Sequence, residues 1–223
     1  MRLNPAHPNR SFRVTDHSTP PILYESVETI PAKGEVLIRI EACGLNFADL
    51  LMAKGTYQDT PALPFTLGME VCGRIAGYGP DTSGPPVGTR VAVFGGSGGL
   101  ADYGCFPADR CLVVPEAMPS AEAAGFQVAY GTSHLALTRR ARLAAGETLL
   151  VLGAAGGVGL TAVEIGKALG ARVIAVARGA DKLAVAKAAG ADHLIDASAD
   201  LTTEVKALGG ADVVYDPVGG AAF

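Results

Sequence analysis

A chain of 223 residues that is 49% hydrophobic, with a mean hydropathy of +0.30, has material for one large or two small buried cores. A net charge of −4 without any Lys/Arg cluster argues against nucleic acid as a partner. No apolar run approaches a membrane span and the first ten residues lack an apolar signal region, so a cytoplasmic protein with no membrane partner is expected.

The first half reads as β-rich. Residues 35–42 alternate apolar and polar as a half-buried strand does, and 71–77, 90–94 and 111–114 look like further strands. Between them, Asn46-Phe-Ala-Asp-Leu-Leu-Met-Ala53 predicts a short helix ending at Gly55. Cys43, Cys72, Cys105 and Cys111 form no Cys-x-x-Cys pair and are expected as reduced thiols. His7, His17, His134 and His193 are scattered, and nothing has metal-ligand spacing.

From Pro119 the period changes. A helix is expected over 121–140, then four strands separated by helices: 148–152, 173–177, 193–196 and 212–215. That alternation predicts a parallel, right-handed βαβ sheet, with the domain boundary near Ala117. A full dinucleotide-binding sheet has six strands, so a sheet of four is unfinished. The first strand, Leu149 to Leu152, turns directly into Ala154-x-Gly156-x-x-Gly159, a dinucleotide fingerprint with Ala in its first slot. Free N–H groups of Ala155, Gly156, Gly157, Val158 and Gly159 at the start of the next helix suit a pyrophosphate. A tight turn in a structural α/β domain is the bland alternative. At the tip of the second strand no acid awaits a ribose 2′-hydroxyl. Arg178 and Lys182 stand there instead, which favours NADPH over NADH unless both are ordinary solvated cations.

Taken together, Gly44-Leu-Asn-Phe-Ala-Asp49, Gly55-Thr-Tyr57, Leu63-Pro-Phe-Thr-Leu-Gly-Met-Glu70, Val87-Gly-Thr-Arg-Val91, the glycine turn, Gly190-Ala-Asp-His193 and Val213-Val-Tyr-Asp-Pro-Val-Gly219 make the chain resemble a known group. It is similar to the medium-chain dehydrogenase/reductase superfamily, in its zinc-free NADPH:quinone oxidoreductase (zeta-crystallin-like) branch. The resemblance implies an α/β chain with a GroES-like catalytic domain (1–117) followed by an NADP-binding Rossmann domain (118–223). The latter's doubly wound parallel sheet would be truncated after the fourth strand. It also implies an active site between the domains and a homodimer. The cysteine and histidine that bind catalytic zinc in the superfamily's alcohol dehydrogenases fall at Asn46 and Met69, whose amide and thioether do not suit such a site.

Without metal, hydride from NADPH needs an acceptor that is already electrophilic, a quinone or another α,β-unsaturated carbonyl. Tyr57 matches the family's active-site tyrosine and can donate to the developing oxyanion. Asn46 can orient the nicotinamide or the substrate oxygen, and Thr132 matches a threonine near the nicotinamide. The alternatives are that Tyr57 packs a loop, Asn46 caps the short helix and Thr132 bonds its own helix backbone. Asp49 and Glu70 match acids that flank the metal in the zinc enzymes and are read as structural, paired with Arg or capping. Leu51 and Ala197 stand where many quinone reductases have tyrosine, which leaves the acceptor open.

Three competing functions remain to be weighed. Gly95-Gly-Ser-Gly-Gly99 satisfies a nucleophile-elbow pattern, but a strand-like run follows where a helix is required, so Ser97 is read as a turn residue. An enoyl-thioester reductase on the same scaffold would want a basic surface for CoA phosphates. A non-catalytic NADPH-binding protein is the third.

Overall fold

The computed structural model describes residues 8–26 and 29–220. Two compact units divide the chain, Met1–Val128 and Ala129–Phe223.

In the first unit, β1 (Asn9–Val14) and β2 (Ile22–Ser26) form an antiparallel hairpin, and β1 also pairs with β4 (Phe65–Thr66). A five-stranded antiparallel sheet carries the rest. It contains β3 (Glu35–Gly44), β5 (Glu70–Tyr78), β6 (Arg90–Phe94), β7 (Tyr103–Pro107) and β8 (Leu112–Val113), in the order β7-β3-β5-β6-β8. Val36, Ile38, Val71, Ile75, Val91, Val93 and Phe106 close one core on this sheet. The helix α1 (Phe47–Ala53) buries Met52 with Val14, Phe65, Leu67 and Met69 in a second core. Bidentate Arg10–Asp102 contacts at 3.0 Å, with Asp102 also accepting the Arg10 backbone N–H, tie the hairpin to the loop before β7.

The strands expected at 35–42, 71–77, 90–94 and 111–114 all appear, with β6 matching at both ends. The helix expected over 121–140 is three pieces. These are α2 (Ser120–Ala124), α3 (Phe126–His134) and a π-helical turn at Leu135–Arg140, the first two separated at Gly125. The first unit also ends later than the boundary expected near Ala117. The reason is packing: Ala123 and Ala124 bury against Cys72, and Ser120 Oγ donates to Glu41 Oε2 at 2.9 Å, so α2 is held to the five-stranded sheet.

The second unit is built on four parallel strands: β9 (Thr148–Leu152), β10 (Arg172–Ala177), β11 (His193–Asp196) and β12 (Val213–Tyr215). The sheet order is β11-β10-β9-β12, which is the 3-2-1-4 part of the dinucleotide-binding order. The helices are α4 (Gly157–Ala168), α5 (Ala180–Ala188) and α6 (Leu201–Ala207). Alternate residues of the strands feed two cores. Leu149, Val151, Val173 and Ala175 pack with Ala162 and Val163 of α4 and Ala186 of α5, whereas Leu150, Leu152, Ile174 and Val176 pack with Leu201 and Val205 of α6. Helices on both faces make the sheet doubly wound, and burial on both faces is why its strands read as unbroken apolar runs. No helix among the described residues is long and apolar enough to cross a membrane.

Candidate functional site

The first unit gathers Asn46, Asp49, Met69 and Glu70 where β3 gives way to α1. Asp49 lies in the first turn of α1. Its carboxylate accepts the Asn46 N–H at 2.9 Å and, through the other oxygen, the Gly68 N–H at 3.0 Å. Glu70, 1% exposed, accepts from Asn46 Nδ2 through Oε1 and from the Val128 N–H through Oε2, both at 2.9 Å. Burial raises both carboxyls above their ordinary values, while these amide donors pull the other way. Asp49 thus caps as expected. Glu70 is held by a side-chain amide and a backbone amide in place of the expected Arg. Asn46 is the N-cap of α1, the alternative raised for it, and turns its Nδ2 to Glu70, a bond that uses one of the two Nδ2 hydrogens.

Gly44 explains how closely these groups are set. A Cβ there would lie 2.6 Å from Glu70 Oε1 and 2.7 Å from the Ala124 carbonyl. Met69 is buried at 4% exposure in the α1 core. Cys43, beside Asp49 and Glu70, has its thiol pushed up to about 12 by burial first and by those two carboxylates second. Among the described residues no three His, Cys, Asp or Glu side chains are grouped as a metal ion requires.

Tyr57 follows the left-handed Gly55, whose φ is +67° and whose Cβ would lie 2.8 Å from the His17 ring. The tyrosine is half-buried against the α1 core, and its carbonyl accepts from Thr60 Oγ1 at 2.6 Å. Ser97 sits in the loop after β6, and the next regular element is a strand, so the elbow geometry is absent from this segment.

In the second unit the turn from β9 to α4 is compact. Gly153 has φ +60°, and its carbonyl accepts the Gly156 N–H at 2.9 Å. A Cβ on Gly159 would lie 2.2 Å from that same carbonyl, so only glycine lets α4 pack this closely on β9. Nothing lies within 4 Å of a Cβ built on Gly157. The Gly156 N–H is therefore taken, a correction to its expected role. The N–H groups of Gly157, Val158 and Gly159, in the first turn of a twelve-residue helix, have no intrahelical acceptor. With the open space before Gly157 they form a cradle that fits an anion. Ala155 is half-buried in the turn itself.

Arg178 and Lys182 are both exposed, one just past β10 and the other in the first turn of α5. Sequence reasoning missed a neighbour. Asp196, the last residue of β11, pairs in register with Ala177. Its carboxylate accepts from Ser198 and from the Gly179 N–H, and these bonds, with Arg178 nearby, hold its pKa below the usual range. A carboxylate does stand at the strand tips, supplied by the third strand, where spacing along the second cannot reveal it. Thr132 is exposed on α3.

Comparison with known proteins agrees with this arrangement. The family model described as "Alcohol dehydrogenase GroES-like domain" matches residues 32–116, and that described as "Zinc-binding dehydrogenase" matches 157–223. The chain is 37% identical over 209 residues to "Quinone oxidoreductase-like protein 2" of Bos taurus, covering 91% of this chain and 60% of the relative. It is 37% identical over 194 residues to the human "Synaptic vesicle membrane protein VAT-1 homolog", covering 86% and 49%. Among solved structures, a quinone oxidoreductase from Thermus thermophilus, solved also in complex with NADPH, superposes with a TM-score of 0.85 at 36% identity, covering 96% of this chain and 68% of the other. The chain belongs to the medium-chain dehydrogenase/reductase superfamily of oxidoreductases, in its quinone oxidoreductase branch. It spans about half of the human relative and 60% of the bovine one.

Proposed function

We propose that this chain acts as a zinc-independent oxidoreductase that uses NADPH to reduce a quinone or another α,β-unsaturated carbonyl. The observation that carries the reading is the amide cradle at Gly157, Val158 and Gly159, with Arg178 and Lys182 beyond the next strand. The cradle holds the pyrophosphate, and the two cations hold the 2′-phosphate. When bound, the cofactor supplies the hydride that makes the reaction a reduction.

The remaining work falls to the chain's own side chains. Tyr57 donates its phenol hydrogen to the substrate oxygen as negative charge develops there, and Asn46 orients a carbonyl through its second Nδ2 hydrogen. Thr132 is the residue that would hold the nicotinamide end. Zinc independence rests on the donor set. Asn46 and Met69 offer an amide and a thioether, and Asp49 and Glu70 are engaged by amide donors.

The test is paired fluorescence titration of the chain with NADPH and NADH, repeated for Arg178→Ala and Lys182→Ala, followed by an enone and quinone screen. NADPH binding at least about tenfold tighter, about 1.4 kcal/mol, and lost in the variants is the expected result. Equal binding of both would sink the 2′-phosphate assignment. Turnover undiminished in Tyr57→Phe would remove the oxyanion role.

A further inference from the structure

A cluster of three hydroxyls lies behind the cradle, inside the second unit. Ser133 of α3 is fully buried. Its Oγ lies 2.7 Å from the Val158 carbonyl, 2.8 Å from Thr161 Oγ1 and 3.2 Å from the Tyr215 hydroxyl of β12. Thr161 Oγ1 is in turn within 3.2 Å of the Ala129, Gly157 and Val158 carbonyls.

Proton counting orders this cluster. A carbonyl only accepts, so the shortest contact, to Val158, takes the single Ser133 proton. Ser133 Oγ then receives from Tyr215, while the single Thr161 proton is shared among Ser133 and the neighbouring carbonyls. Hydrogen bonds run from Tyr215 to Ser133 to the Val158 carbonyl. That carbonyl belongs to the same peptide group as the Gly159 N–H, one of the three free donors of the cradle. Donation to the oxygen of a peptide group polarises its N–H outward, and chains of such bonds reinforce one another where the dielectric is low. The same contacts pin the first turn of α4 to α3 and β12.

We propose that Ser133 and Tyr215 are positioning residues for the cofactor's pyrophosphate, setting both the place and the donor strength of the Gly159 amide. This rests on the cofactor reading above and deepens it. A purely structural cluster would support folding without distinguishing between ligands. The proposal requires the loss to follow the pyrophosphate.

The experiment uses the 223-residue chain, with Ser133→Ala and the more conservative Tyr215→Phe. Two probes are titrated: NADPH by fluorescence, and adenosine 2′-monophosphate, which has no pyrophosphate, by NMR. NADPH affinity falling about threefold to tenfold in both variants, with adenosine 2′-monophosphate unchanged and a raised KM for NADPH at unaltered kcat, is the expected outcome. Equal weakening of both probes, or of neither, would overturn the proposal while leaving the cofactor site standing. Wild-type chain that binds neither probe would overturn the cofactor reading and this inference with it. Thermal unfolding of each variant, read alongside, identifies any loss that is only of stability. If Ser133→Ala does not fold, Tyr215→Phe decides alone.

Discussion

At the scale of single residues, the glycines of the β9–α4 turn have separable tasks. Gly159 keeps the helix against the strand, since a methyl there would press on the Gly153 carbonyl at 2.2 Å. Gly159→Ala is expected to destabilise the second unit by about 1–3 kcal/mol, as overpacking does, measured by chemical denaturation. Gly157 faces open space, so Gly157→Ala is expected to raise apo stability by up to about 1 kcal/mol, the helix preference of Ala over Gly, and to weaken NADPH binding by filling the cradle. Opposite signs for stability and affinity in one variant would separate space for a ligand from space for packing. The glycine pattern is readable in sequence because spacing and flanking elements are local. The direction of each N–H is not, and Gly156 is the example: its amide turns back to Gly153. Asp196 escapes sequence reading for a different reason. It reaches the strand tip through sheet register, a non-local relation.

At the scale of elements, the β1–β2 hairpin is the part least visible in sequence. Every residue of β2 is exposed except Ser26, so no alternation marks it as a strand. The parallel strands are the opposite case, with apolar runs buried on both faces. The break at Gly125 is likewise hidden, because the residues on either side continue a helical pattern. The hairpin leans on Arg10–Asp102, which makes its docking sensitive to pH. Hydrogen bonds from Arg10 hold Asp102 below the usual carboxylate range. A depressed folded pKa contributes stability above the unfolded value, about 3.9, and that contribution is lost as pH falls through the folded value. The pair lies open to solvent, which screens it and keeps its worth small. Asp102→Asn is therefore expected to lower stability slightly at pH 7, and the deficit is expected to close at acid pH, once Asp102 is itself protonated. Denaturation midpoints at neutral and acid pH check this, and a deficit that persists at low pH would assign the effect to packing.

At the scale of the whole molecule, a chain of net charge −4 is asked to bind a polyanion. The net charge offers no long-range attraction, so the proposed cofactor site relies on the local amides and on Arg178 and Lys182. NADPH affinity is expected to fall with added salt more steeply than NADH affinity, because exposed charges are screened over about 10 Å at 0.1 M. Parallel slopes for the two nucleotides would take Arg178 and Lys182 out of the site. The sheet of the second unit carries another consequence, one of timing. Its central strand β9 is flanked early by β10, but its other partner β12 is distant in the chain, with Thr148 and Asp212 bonded across 64 positions. During synthesis the apolar edge at Leu149–Val151 must wait for β12 to emerge. Contacts of such separation form late because a long loop must close first. Until then the strand at the heart of the sheet offers its unpaired backbone to any passing extended segment, so crowding of nascent chains brings a hazard of aggregation at β9 that pairing with β12 removes.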